Sequence, residues 1–173
     1  MSVLALILVI FGLFILILIF FFVILPFFIG APFEQTNKRT LRKMVEFSKI
    51  KKGEKVADLG SGNGKIVIEL AKLPINLEVH GFEINPFLVW FSKMKIKKLG
   101  LQNKAFIHFG NFWNKNFSKY NVIFIYQISF IMKGLGEKLR KELKTGSRIV
   151  SNTWEFPNWK PKKQEENVYL YEV

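Results

Sequence analysis

Hydrophobic positions divide the chain into two unlike parts. Val3 to Leu25 is a run of 23 residues with no charge and no polar side chain, and about 20 apolar residues are enough for a helix to cross roughly 30 Å of hydrocarbon. The run therefore predicts one transmembrane helix, which Pro26 and then Gly30-Ala31-Pro32 interrupt to open a connector. It lacks the basic start, short apolar core and small-residue cleavage site of a secretory signal. As a buried helix it would present an all-round apolar surface that the rest of the chain could hardly cover.

Beyond the connector the periodicity alternates. Thr36 to Ile50 sets Leu41, Met44, Val45 and Phe47 at helical spacing among basic residues, and Lys51-Lys52-Gly53 stops that amphipathic helix. Strand patterns follow at 55–59, 78–82, 104–109, 121–126 and 147–152, with helical patterns at 65–73, 86–99 and 133–144. Alternating βα units imply an α/β fold: a mostly parallel, Rossmann-like sheet with helices on both faces, preceded here by the membrane helix. Lys160 to Glu166 reads as a charged turn and Asn167 to Val173 as a closing antiparallel edge strand. The resulting division is an anchor over 1–30, a connector and amphipathic helix over 31–53, and one domain over 54–173.

Charge sharpens this picture. No charged residue precedes Glu34, so all 26 basic and 13 acidic side chains, and the net charge of +13, belong to the part after the anchor. Lys38, Arg39, Arg42, Lys43, Lys49, Lys51 and Lys52 crowd its start, which places the domain on the cytosolic side and the short N-terminus outside. Such a cluster also attracts anionic lipid. A basic surface alone does not separate lipid from nucleic acid, but the adjacent anchor favours lipid, and no nucleic acid is expected. The chain contains no cysteine, which excludes disulfides, thiolate nucleophiles and zinc-thiolate sites.

The candidate chemistry sits at Asp58-Leu59-Gly60-Ser61-Gly62-Asn63-Gly64-Lys65, between the first strand and its helix. Alternate glycines reach conformations closed to residues with a Cβ, so a ligand can lie on the main chain, and Ser61 to Gly64 are expected to offer backbone donors to it. A P-loop would need four residues between its first glycine and Gly-Lys, then Ser or Thr; residue 66 is Ile. A dinucleotide fingerprint would put its third glycine one position later. Glu83 ends the next strand about 20 residues on, where a ribose-binding carboxylate belongs.

Asp-x-Gly-x-Gly-x-Gly resembles motif I of class I S-adenosylmethionine methyltransferases. The likeness extends through Pro32-Phe33-Glu34-Gln35-Thr36, Gly81-Phe82-Glu83-Ile84-Asn85-Pro86-Phe87-Leu88-Val89-Trp90, Asn111-Phe112-Trp113 and Phe156-Pro157-Asn158-Trp159. Together these resemble the ATP synthase c-subunit lysine methyltransferase family and its small prokaryotic protein lysine methyltransferase relatives. The resemblance implies S-adenosylmethionine as cofactor, held by Asp58, Gly60, Ser61, Gly62, Asn63, Gly64, Glu83, Ile84, Asn111 and Phe112, and a protein lysine as acceptor. Asn63 and Asn111 stand where the family usually carries acids. An asparagine carbonyl still accepts a bond from an adenine amino group.

Methyl transfer to an amine needs aim and dryness more than a general base. Tyr126 and Gln127, ending the fourth strand, are the candidates for gripping the amine, and Phe33, Thr36 and Trp154 for roofing the site. His80 and His108 have no acid or second histidine at ligand spacing in the sequence, so no metal site is expected. Two other readings stay open: a lipid or quinone methyltransferase, which an anchor also suits, and a non-catalytic membrane-bound module that keeps the fold.

Overall fold

The computed structural model describes residues 2–21 and 36–173. Helix α1, Val3–Ile19, is capped by Ser2, whose side chain accepts from the Ala5 amide, and it buries none of its residues. Among the described residues no helix is long and apolar enough to cross a membrane. The last four residues of the apolar run and the connector, including Phe33, lie outside the described residues.

Helix α2, Lys38–Ser48, begins at an Asn37 cap and ends at Lys49 in the left-handed region. The domain then runs β1 (Lys55–Leu59), α3 (Lys65–Ala71), β2 (Glu78–Glu83), α4 (Pro86–Lys98), β3 (Ala105–Phe109), a 3-10 turn (Phe112–Asn114), β4 (Val122–Ile125), α5 (Ser129–Glu142), β5 (Arg148–Asn152), β6 (Lys163–Glu165) and β7 (Val168–Glu172). The sheet order is β3-β2-β1-β4-β5-β7-β6. The first five strands pair in parallel and the last two antiparallel. The expected α/β fold with a mostly parallel sheet is present.

Two apolar layers sandwich the sheet. On one face, Leu41, Met44 and Phe47 of α2, Val67 and Leu70 of α3, and Val89 and Ile96 of α4 meet strand residues such as Val56, Val79 and Val122. On the other, Met132, Leu135 and Leu139 of α5 meet Leu59, Ile123, Ile125 and Tyr171. Alternate strand residues thus feed opposite layers, as side-chain alternation requires. Arg148 fixes the end of α2 by donating to the carbonyls of Ser48 and Lys49 at 2.6 Å each and pairing with Glu54.

Three expectations need correcting. The charged turn over 160–166 contains an edge strand, β6, so β7 is the second strand from that edge; Lys163, Gln164 and Glu165 are all exposed and give no apolar alternation to read. Helix α5 starts at Ser129, four residues before its periodic signal. Its interior glycine at 136 admits the Phe156 ring, which would lie 2.9 Å from a Cβ there, so packing overrides a weak local propensity. Finally, His80 does have partners. Its Nδ1 lies 2.7 Å from His108 Nε2 on the neighbouring strand, and its Nε2 lies 2.8 Å from Glu78 Oε1. Burial lowers both imidazole pKa values. Among the described residues no group of three or more His, Cys, Asp or Glu could hold a metal ion.

Candidate functional site

The order in which successive strands are laid down reverses between the parallel neighbours β1 and β4: β2 and β3 lie to one side, β5 and β7 to the other. Ligands of open α/β sheets bind at the carboxyl ends of the strands flanking such a switch point. The glycine loop, Glu83, and Tyr126 with Gln127 all sit at that end.

The loop takes positive φ at Gly60 (76°), Gly62 (54°) and Gly64 (75°), as its sequence requires. Its amides, however, are occupied by the protein. Gly60 and Ser61 donate to the Phe82 carbonyl at 2.9 and 3.0 Å, Gly64 donates to the Ser61 carbonyl at 2.9 Å, and Gly62 donates to Glu83 Oε2 at 2.8 Å. The expectation of a row of donors from 61 to 64 is therefore corrected for three of them: the Ser61 and Gly62 amides fold the loop onto the end of β2, and the Gly64 amide closes a turn within the loop.

Glu83 is the hub of that arrangement. It is 8% exposed, and its second oxygen accepts from the Asn85 amide at 2.8 Å. A carboxylate offers about four acceptor sites, so each oxygen keeps capacity for a further donor such as a ribose hydroxyl. Asp58, buried at the end of β1, has its pKa pushed up to about 8, by burial first and by the charge of Glu83 second. Both effects favour its neutral form.

Other groups hold the loop from outside. Gln127, also buried, donates from Nε2 to the Leu59 carbonyl at 2.7 Å. The same nitrogen would stand 2.3 Å from a Cβ at residue 60, so Gln127 abuts the glycine main chain. Ser92 on the inner side of α4 donates to the Gly62 carbonyl at 3.1 Å, and Lys65 donates to the Thr36 carbonyl at 2.6 Å. Among the described residues, buried Ser61 Oγ finds no hydrogen-bond partner. Sequence reasoning missed Ser92; its placement one turn after Val89 on the buried stripe was the available signal.

The remaining expected residues are spread around this centre. Asn63, Ile84, Asn111 and Tyr126 are half-buried, and Phe112 is buried in the α5-side layer. The Asn111 side-chain oxygen caps the 3-10 turn by accepting from the Trp113 amide at 2.9 Å, and a carbonyl's second lone pair leaves room for one more donor. Thr36 is buried, whereas Trp154 is 42% exposed just beyond β5.

A ligand suited to this site has hydroxyls for Glu83 and positive charge to favour ionised Asp58. S-adenosylmethionine, with a ribose, a sulfonium and an ammonium, fits that donor and charge pattern. A methyltransferase family model, the ANTKMT methyltransferase domain, matches residues 58–163. The chain belongs to that family. A protein-lysine N-methyltransferase of Saccharolobus islandicus is 33% identical over 150 residues, covering 82% of this chain and 93% of the relative. The ATP synthase c-subunit lysine N-methyltransferase of rat is 32% identical over 130 residues, which covers 75% of this chain but 59% of that relative, so the chain spans under two thirds of its length. Among solved structures, an RNA methyltransferase from Salinibacter ruber in complex with S-adenosylhomocysteine superposes with a TM-score of 0.78 at 25% identity, covering 81% of this chain and 94% of that one. Membership in this family gives the chain a methyltransferase domain over residues 58–163.

Proposed function

We propose that the protein transfers the methyl group of S-adenosylmethionine to the ε-amine of a protein lysine, while its N-terminal apolar run holds it in a membrane with the domain on the cytosolic side. One observation carries the transfer reading: the buried pair Asp58 and Glu83 brackets the glycine loop at the sheet's switch point, with Glu83 bonded to Gly62. The names of the relatives from Saccharolobus and rat support lysine as acceptor.

The chain's own residues divide the work. Glu83 and Asn111 hold hydroxyl and amino donors, Asp58 answers positive charge, and Gln127 fixes the Leu59 carbonyl beside the loop. Tyr126 orients the acceptor amine. When bound, the cofactor supplies the electrophilic methyl. A lysine amine, with a reference pKa near 10.4, must be neutral to attack, and an apolar approach lowers that value.

Incubating the full chain with methyl-labelled S-adenosylmethionine and membrane extract tests the acceptor. Label in acid-stable methyl-lysine is expected; label confined to lipid or quinone would replace this reading. The uncharged run from Val3 to Leu25, followed by the basic cluster, supports the membrane part. Retention through carbonate extraction, with digestion from the cytosolic side, is its expected outcome. Release of intact protein to the soluble fraction would overturn it.

A further inference from the structure

Helix α4 is apolar on two sides. Val89, Ser92 and Ile96 face the sheet and are buried. Phe87, Trp90, Phe91 and Met94 recur at i, i+3, i+4 and i+7 on the opposite side, exposed by 57, 55, 38 and 53%. The three rings form one patch, with Phe87 centred 5.9 Å from Trp90 and 6.4 Å from Phe91. An all-round apolar helix is ordinarily covered on every side, and contiguous exposed apolar surface marks an interaction site.

Charge identifies what covers it. Lys93, Lys95, Lys97 and Lys98 flank and follow the patch, the helix has no acidic residue, and among the described residues no ion pair engages these four lysines. Lys95 Nζ lies 4.6 Å over the Phe91 ring. Protein interfaces are depleted in lysine, whereas a helix lying in a bilayer interface pairs Trp, Phe and Leu with a lysine-rich margin. The same sheet face carries a groove of about 530 Å³ between α2 and α3, lined by Lys38, Arg42, Lys65 and Lys72 with Glu69 the acid among its lining residues.

We propose that the outer face of α4 is a docking surface for an anionic lipid bilayer: the aromatic patch enters the headgroup boundary while the lysines meet lipid phosphates. This contact is distinct from the N-terminal run and lays the domain against the membrane instead of leaving it on a tether.

The chain's lack of cysteine makes one labelled position unambiguous. Met94→Cys in the full chain carries an environment-sensitive fluorophore, and Lys141→Cys on α5, beneath the other sheet face, carries it as control. Both are mixed with vesicles of brominated phosphatidylcholine, with or without phosphatidylglycerol. With the anionic lipid, emission at 94 should shift to the blue and be quenched by roughly twofold or more, as burial about 5–10 Å into the interface implies, while the label at 141 stays unchanged. Combining Lys93→Glu, Lys97→Glu and Lys98→Glu should abolish the shift. Flotation with the vesicles reports the N-terminal run and the label reports α4, so the two readings fail separately. A chain that floats with its 94 label still in water overturns the proposal. So does a shift already present without lipid, which indicates a second copy, or one that appears only on adding RNA or soluble protein.

Discussion

Gln127 Nε2 lies 2.7 Å from the Leu59 carbonyl oxygen, at the place where the main chain of residue 60 passes closest. The side chain after β4 thus props the turn after β1, and the two strands flanking the switch point share one rigid junction.

Gly60→Ala should be the most damaging single-methyl change at the site. The added Cβ would meet Gln127 at 2.3 Å, and φ of 76° disfavours any side chain there. We expect a loss of about 1–3 kcal/mol by denaturant titration, together with loss of S-adenosylhomocysteine binding by calorimetry. Wild-type stability with wild-type affinity would show that the junction is looser than described.

Glu83→Ala removes the acceptor of two backbone amides, Gly62 and Asn85, in a buried place. Stability should fall by about 1–3 kcal/mol, and cofactor affinity by roughly 10- to 150-fold. Glu83→Gln keeps an acceptor oxygen and should recover most of the stability while recovering little of the affinity. Equal affinity in wild type and Glu83→Ala, at one pH and salt, removes Glu83 from the site.

Asp58 gives a pH signature. Its folded pKa of about 8 lies above the unfolded carboxylate value near 3.9. Between these pH values the folded state holds a proton that the unfolded state has lost, so the contribution to stability is full below about 4 and declines until about 8. Asp58→Asn should therefore be more stable than wild type at pH 8 without cofactor, read as a higher Tm. Positive ligand charge favours ionised Asp58, so wild-type binding near pH 7 should release a proton, detected as buffer-dependent heat, and the variant should release none.

Tyr126→Phe separates holding from transfer. Cofactor affinity should stay within about twofold, while the rate of methylation falls by at least about tenfold if the hydroxyl aims the amine. An unchanged rate would leave Tyr126 as packing at the end of β4.

Local signals made the glycine loop and Glu83 legible in the sequence, because backbone freedom and a strand-end acid are written within a few neighbouring residues. What the loop does with its amides was not legible. The Phe82 carbonyl and the Glu83 carboxylate reach it across about twenty residues of chain, and only strand register brings them together. The same holds for His80 and His108, which meet because β2 and β3 pair Phe82 with His108 and His80 with Phe106. Gln127 was singled out for its position, yet its partner Leu59 lies 68 residues away and could not be inferred. Strand β6 left no trace because an exposed, charged edge has no buried side to enforce alternation.

Thr36, the first residue described after the connector, is fastened through its carbonyl to Lys65 beside the glycine loop. Val173 lies at the opposite ends of the strands, bonded to Gly146 and Ser147. The described domain therefore begins beside the glycine loop and ends at the far end of the sheet. A probe joined after Val173 stands a strand's length away from the site, whereas a change at Thr36 is transmitted through Lys65 to the loop itself.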